Sequence, residues 1–136
     1  MTVKAEKDLL KLLENVEPVL LDGDFVFLSF EQAVYGERLD LSPIVSVRER
    51  EGLTLVVPRE KADANNLVYE SVFRSITLSV YSSLEAVGLT AVVAGVLAEK
   101  GISANVVAGF HHDHVFVQSE RAKEAVAAIA SLRRSE

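Results

Sequence analysis

The clearest hydrophobic pattern lies in the second half of the chain, where the period changes from two residues to about four. Residues 76–81 alternate apolar and polar side chains, which predicts a strand with one buried face. Apolar residues then recur at helical spacing over about 87–100, and Gly101 is placed to end that helix. Residues 102–110 and 114–118 follow as predicted strands, joined by a turn at His-His-Asp-His.

Small residues mark the predicted helix over 87–100, and they indicate that it packs close to a sheet. These residues are Ala91, Ala94, Gly95 and Ala98. A last helix is predicted over about 120–133, with its apolar residues on one face. The second half of the chain therefore has the element order β-α-β-β-α.

The start of the chain predicts a helix followed by a strand. Leucines at helical spacing predict the helix over 5–14, and Val19-Leu20-Leu21 predicts a short strand. Asp22-Gly23 is typical of a hairpin turn, and it leads to an apolar strand over 25–30. The sequence does not decide which sheet this first helix and first strand complete.

The rest of the first half is rich in predicted strands. Residues 44–47 and 53–57 are predicted to form a hairpin, and a short polar helix follows from Pro58. The first half therefore has the same order of elements as the second half, except that its first helix is degraded to an irregular segment. A short linker then separates two halves. The predicted halves are residues 1–70 and 71–136.

Composition narrows the class of protein. With 136 residues, the chain is long enough for one compact domain or for two small ones that share a core. Its net charge of −6 argues against a nucleic-acid or anionic-membrane partner, since both favour a basic face. The absence of cysteine excludes disulfides, thiolate catalysis and cysteine-based metal sites.

Segments that would direct the chain to or through a membrane are not predicted. No apolar run approaches the roughly 18–20 residues that a membrane-spanning helix needs. The start, MTVKAEKDLL, lacks the uninterrupted apolar core of a signal peptide. We therefore expect a cytoplasmic protein.

Residues 73–118 resemble an ACT domain, the small βαββαβ regulatory module of amino-acid metabolism. The resemblance rests on three segments: Ser-Ser-Leu-Glu-Ala-Val-Gly-Leu-Thr at 82–90, Leu-Ala-Glu-Lys-Gly-Ile-Ser-Ala-Asn-Val at 97–106, and His-Asp-His at 112–114. It resembles in particular a group of short free-standing proteins with two tandem ACT-like domains. ACT domains often show Asp-x-Pro-Gly before their first helix, whereas this chain has Glu85, Val87 and Gly88 at the acid, proline and glycine positions.

The resemblance implies a ferredoxin-like α+β fold of two tandem units, the first of them degraded. It also implies homodimers built by joining sheets or helices side by side. For the free-standing group it implies no established reaction and no cofactor. Amino-acid sensing is the role that the wider family suggests.

The loop at 82–90 is the candidate ligand site. A loop that leads from a strand into a helix presents backbone N–H groups and the positive end of the helix, which together can hold an anion. A ligand carboxylate would meet the N–H groups of residues 87–90 and the Thr90 hydroxyl, while Glu85 would accept an ammonium group. The alternative is a helix cap, in which Ser83 caps, Glu85 complements the helix dipole and Gly88 permits close packing.

Asn105 is a second candidate, because in ACT domains the start of the second strand commonly faces that loop across a domain interface. Its alternative role is to satisfy local backbone groups at a strand edge. Apolar residues that would form the pocket wall are Leu84, Val87, Leu89 and Phe110. The full set of candidate ligand-binding residues is Ser83, Glu85, Val87, Gly88, Leu89, Thr90 and Asn105.

The histidine cluster at 111–114 raises a metal hypothesis. On a strand, His112 and His114 would share one face, as the ligands of an HxH metal site do. Only these two ligands converge, so a polar hairpin turn is the preferred interpretation and no metal is assigned. A catalytic site is not predicted, because no nucleophile lies beside the cluster and no glycine-rich phosphate loop is present.

Two functions from different classes follow from the sequence. The first is a non-enzymatic regulatory protein that binds a small molecule, an amino acid by preference, at an interface between ACT-like units. The alternative is a structural or interaction module that dimerises through its sheets and binds no ligand. A ligand-induced rise in melting temperature distinguishes the two.

Overall fold

The computed structural model describes residues 5–134, and the chain divides into two compact units. One of them, the discontinuous unit, joins residues up to 21 to residues from 74 onward. The other, the continuous unit, consists of residues 22–73. The N-terminal helix and strand thus pack with the second half of the chain.

Each unit combines short helices with antiparallel strand pairs. The elements assigned to the discontinuous unit are α1 Leu9–Asn15, β1 Pro18–Leu20, β5 Phe73–Leu78, α3 Leu89–Glu99, β6 Asn105–Ala108, β7 Asp113–Gln118 and α4 Ala122–Ala130. Those of the continuous unit are β2 Phe25–Phe30, β3 Val45–Glu49, β4 Gly52–Pro58 and α2 Arg59–Ala64, with a 3₁₀ turn at Leu39–Leu41. No helix of residues 5–134 is long and apolar enough to cross a membrane.

The sheet of the discontinuous unit has the strand order β1-β5-β7-β6. The N-terminal strand β1 lies antiparallel to β5, with Leu20 opposite Ile76. The predicted hairpin at Asp22-Gly23 is therefore wrong, because β1 pairs with β5 whereas β2 pairs with β4. Gly23 does adopt a positive φ of 91°. A turn residue of this kind lets the chain change direction, but it does not choose the partner strand.

Helix α1 begins later than predicted, at Leu9 instead of residue 5. Asp8 sets this start, because its side chain accepts hydrogen bonds from the N–H groups of Leu10 and Lys11. Within the helix Leu12 is fully buried.

Helix α3 presents its large residues, not its small ones, to the core of the discontinuous unit. Leu89, Val93 and Leu97 are buried, while Ala91, Gly95 and Ala98 are exposed. The prediction that the small residues allow close packing on the sheet is thus wrong for these three. The large residues and the small residues each recur every three to four positions along the helix, so each set forms a row on one face. Burying the larger row removes more apolar surface from water, at about 25 cal/mol per Å².

The continuous unit is a three-stranded antiparallel arrangement in the order β3-β4-β2. The predicted hairpin of β3 and β4 is confirmed, with Glu49 opposite Gly52 at its turn. Between β2 and β3 the chain forms only the 3₁₀ turn at Leu39–Leu41. Leu41 is nevertheless fully buried and belongs to the core of this unit. A single turn therefore stands where the second half of the chain has helix α3.

Candidate functional site

A cavity of about 160 Å³ lies beside the loop that joins β5 to α3. Most of its wall comes from that loop and from the first turn of the helix. The remaining wall comes from the facing ends of β6 and β7. The lining residues are Ser82, Ser83, Leu84, Ala86, Gly88, Leu89, Thr90, Ala108 and Asp113.

The N-terminal segment holds the beginning of this loop in place. The Glu6 N–H donates to the Tyr81 carbonyl at 2.8 Å, and the Ser83 N–H donates to the Glu6 carbonyl at 2.9 Å. Ser82, between these two bonds, is buried. The loop is thus anchored by backbone bonds to a segment far away in sequence.

The start of α3 is formed by Gly88, without a side-chain cap from the residues that the structure describes. The helix begins at Leu89, and Gly88 has a positive φ of 107°. Ser83 does not cap this helix, which corrects the cap hypothesis. Its hydroxyl instead accepts a hydrogen bond from the Glu85 N–H at 3.1 Å, inside the loop. The first N–H groups of a helix have no partner within the helix, so they remain available to a ligand.

Asp113 reaches the cavity because of the alternation of side chains along β7. Val115 and Val117 are fully buried, and Asp113 shares their face at the first position of the strand. Its partner across the ladder is Ala108, whose short side chain also lines the cavity. Burial raises the pKa of the Asp113 carboxyl above its ordinary value, and charge on the neighbouring His114 and His112 opposes that rise.

Four of the seven predicted ligand-binding residues line the cavity, namely Ser83, Gly88, Leu89 and Thr90. Glu85, Val87 and Asn105 do not. The Glu85 carboxylate lies on the surface, 3.1 Å from the ammonium nitrogen of Lys7. Val87 is 83% exposed.

Asn105 lies opposite Phe116 in the strand ladder, so it shares the sheet face that the cavity does not use. Its amide donates weakly to the Phe116 carbonyl at 3.4 Å. Of the predicted wall residues, Leu84 and Leu89 line the cavity, whereas Phe110 is 68% exposed and does not.

Four lining residues were not singled out individually from the sequence, although two of them lie within the loop at 82–90. They are Ser82, Ala86, Ala108 and Asp113. Asp113 could have been found from the sequence. Beginning the predicted strand one residue earlier, at 113 instead of 114, places this carboxylate on the same face as Val115 and Val117.

The histidines of the cluster bind other protein groups. His112 Nδ1 lies 3.2 Å from the Val80 carbonyl, to which it donates, and His114 Nδ1 lies 2.9 Å from Thr77 Oγ1. Burial lowers the pKa of His114 below its ordinary value. Within residues 5–134 no three side chains of histidine, aspartate or glutamate are grouped so that they could hold a metal ion.

Comparison with known families identifies the fold. Residues 4–74 match one ACT domain profile and residues 70–131 match another. The chain belongs to the ACT domain family. This confirms the predicted resemblance and the ferredoxin-like α+β fold with two tandem ACT units.

Solved structures show the same fold. A Vibrio cholerae protein of unknown function, described as a possible transport protein, is 48% identical with a TM-score of 0.84, over 92% of this chain and 95% of that one. An Agrobacterium tumefaciens protein is 18% identical with a TM-score of 0.64, over 87% and 89%. The aspartate kinase of Clostridium acetobutylicum, described as an allosteric enzyme, is 12% identical with a TM-score of 0.62, over 86% of this chain and 34% of the kinase. No curated protein matches the chain.

Membership of the family supports a general role. ACT domains are regulatory rather than catalytic, and they commonly bind small molecules such as amino acids. A regulatory, small-molecule-binding role is therefore the one that the family supports for this ACT protein.

Proposed function

We infer that this ACT protein is a non-enzymatic regulator that binds a small amino-acid-like ligand in the cavity beside the loop at 82–90. The observation that carries this proposal is the position of the cavity at the start of α3. A ligand carboxylate would accept hydrogen bonds from the N–H groups of Leu89 and Thr90 and from the Thr90 hydroxyl. The positive end of the helix adds about 0.3–1 kcal/mol for a negative charge at that position.

Regulation requires that the ligand bind two states of the protein with different affinities. We propose that the chain forms a homodimer, in which Val87 and Asn105 contact the ligand from a second copy, since both are exposed and neither lines the cavity. A ligand that bridges two copies would shift their packing, and such coupling is typically about 1–3 kcal/mol. The proposal takes residues 1–70 and 71–136 as the two family units and the cytoplasm as the compartment.

A thermal-shift screen of tag-free protein against the twenty amino acids at millimolar concentration tests the proposal. A ligand present at 100 times its Kd stabilises the native state by about 2.7 kcal/mol, which is a rise of several degrees in Tm. We expect a saturable rise with one amino acid or with a few related ones. If none of the twenty raises Tm, the amino-acid function is refuted.

A ligand-free assembly module is the second candidate, and a patch on the continuous unit favours it. Tyr35, Leu39 and Ile44 line one groove of about 320 Å³, and their side chains are 67%, 69% and 45% exposed. Exposed apolar residues grouped in this way mark interaction surfaces. Under this alternative, a double change of Tyr35→Asp and Leu39→Glu converts dimers to monomers in analytical ultracentrifugation, and no amino acid raises Tm of the parent protein.

A further inference from the structure

The cavity contains a negative group that the loop sequence does not reveal. Assuming the proposed function, we propose that Asp113 receives the ammonium group of the ligand, and that the site therefore selects small molecules carrying both an ammonium and a carboxylate group. Asp113 and the start of α3 lie on the walls of the same cavity, so opposite charges on one small ligand can meet opposite partners.

Asp113 is placed for this role by the pleat of β7. Its side chain continues the row of Val115 and Val117, which is buried beneath the helices. Asp113 is partly buried, so its carboxylate loses part of its hydration, and this raises its pKa. The residue opposite is Ala108, which fills little of the space that a longer side chain would occupy.

Asp113 also lacks a cationic partner among the lysines and arginines that the structure describes, because none of the ion pairs found there includes it. Burial lowers the pKa of the neighbouring His114, which favours its uncharged form. His114 and His112 are also hydrogen-bonded to groups of the preceding segment. A ligand ammonium group would supply the missing positive charge.

Glu85, the carboxylate that the sequence suggested for this role, is already paired. Its oxygen lies 3.1 Å from Lys7 Nζ, and its side chain is 80% exposed. A solvated, paired carboxylate attracts a ligand cation only weakly, because water and the lysine already satisfy it. Glu85 is also absent from the cavity wall.

The size of the cavity limits the ligand. Sites for drug-sized molecules measure about 300–1,000 Å³, whereas this cavity measures about 160 Å³. Leu84 and Leu89 close part of its wall. The ligands expected to fit are glycine, alanine and serine. Asp113 and the start of α3 would hold their charged groups, and the cavity has room for their small side chains.

The test compares matched ligands on the whole protein. L-alanine, propionate and ethylamine share a short carbon skeleton and carry, respectively, both charges, only the carboxylate and only the ammonium group. We expect L-alanine, glycine or L-serine to raise Tm of the parent protein, and propionate and ethylamine at equal concentration to leave it unchanged. Isothermal titration then gives the Kd for the responding ligand.

Three variants locate the ammonium partner. Asp113→Asn keeps the shape and removes the charge, and we expect it to weaken binding at least about tenfold, the minimum for a lost charge-assisted bond. Glu85→Gln is the rival, and Glu99→Gln, on an exposed residue at the far end of α3, is the control. We expect the control to bind as the parent does.

Each outcome decides the matter. Loss of binding in Glu85→Gln with normal binding in Asp113→Asn overturns the assignment, and so does a parent protein that binds propionate as tightly as L-alanine. Both of these leave the proposed function standing. A parent protein that responds to none of the amino acids overturns both proposals. Since the ligand series uses the parent protein, it tests the requirement for both charges even if a variant fails to fold.

Discussion

Substituting Gly88, before α3, and Gly95, inside it, by alanine should have opposite effects on stability. Gly88 is the N-cap of the helix and has a φ of 107°, a region that residues with a Cβ rarely adopt. Gly95 lies inside the same helix with ordinary backbone angles and is exposed. The pair therefore separates the cost of a special backbone conformation from the general effect of adding a methyl group to this helix.

The magnitudes follow from the surroundings of each position. At Gly88 the backbone strain costs about 1–3 kcal/mol for a residue with a Cβ. The added Cβ would also lie 3.0 Å from Cδ2 of Leu9, which must shift slightly. At Gly95 a Cβ meets nothing within 4 Å, so Gly95→Ala should stabilise the protein by about 0.5–1 kcal/mol. For a chain of this length, 1 kcal/mol corresponds to roughly 3–4 °C in Tm.

The assay is thermal unfolding followed by circular dichroism, with urea titration as a second measure. We expect Gly88→Ala to lower Tm by about 3–12 °C and Gly95→Ala to raise it by about 2–4 °C. Because Gly88 also shapes the cavity wall, its substitution should weaken ligand binding, whereas Gly95→Ala should not. A Gly88→Ala protein with unchanged Tm would refute the reasoning, and equal losses in both variants would show that α3 does not tolerate alanine for another reason.

Four further predictions concern charged and polar side chains. Because burial raises the folded-state pKa of Asp113, the carboxyl contributes stability only at low pH and loses that contribution as pH rises through the folded pKa. Asp113→Asn should therefore have a higher Tm than the parent protein at pH 7, and this difference in Tm should disappear below about pH 4. Burial lowers the pKa of His114, with His112 adding to the shift and Asp113 opposing it. Because the unfolded chain then binds a proton more readily than the folded one, the urea midpoint should fall as pH drops below about 6.5. The fall should be smaller in His114→Gln. Thr77→Val, which removes the hydrogen-bond partner of His114, should cost about 1 kcal/mol in urea titration. Arg121 donates to the carbonyls of Lys100 and Gly101, just after α3, at 2.6 and 3.4 Å. Arg121→Met should therefore lower the urea midpoint, and an unchanged midpoint would contradict this assignment.

Local patterns predicted the second half of the chain well, because each of its elements has a signal within a few residues. The period-two pattern at 76–81 overlaps β5, and Gly101 has the positive φ of 71° expected after a helix. The orientation of α3 was not predictable in the same way. Its small row and its large row have the same spacing, so only the packing partners decide which of the two is buried.

Pairing between distant strands was beyond local reasoning. Asp22-Gly23 has the composition of a hairpin turn, but Leu20 pairs with Ile76, more than fifty residues further along the chain. A turn sequence indicates only that the backbone can bend at that point. The choice of partner strand depends on which apolar rows can be buried together, and that requires the whole unit.

The candidate site shows the same division between local and non-local information. The loop at 82–90 could be found from the sequence because a strand followed by a helix always exposes N–H groups at the junction. Which carboxylate is free to bind an ammonium group could not be found so directly. Glu85 is occupied by Lys7, 78 residues away, whereas Asp113 faces the cavity through the pleat of β7. The proposed preference for an ammonium group therefore rests on a tertiary ion pair that occupies one acid, and on a strand register that places another in the cavity wall.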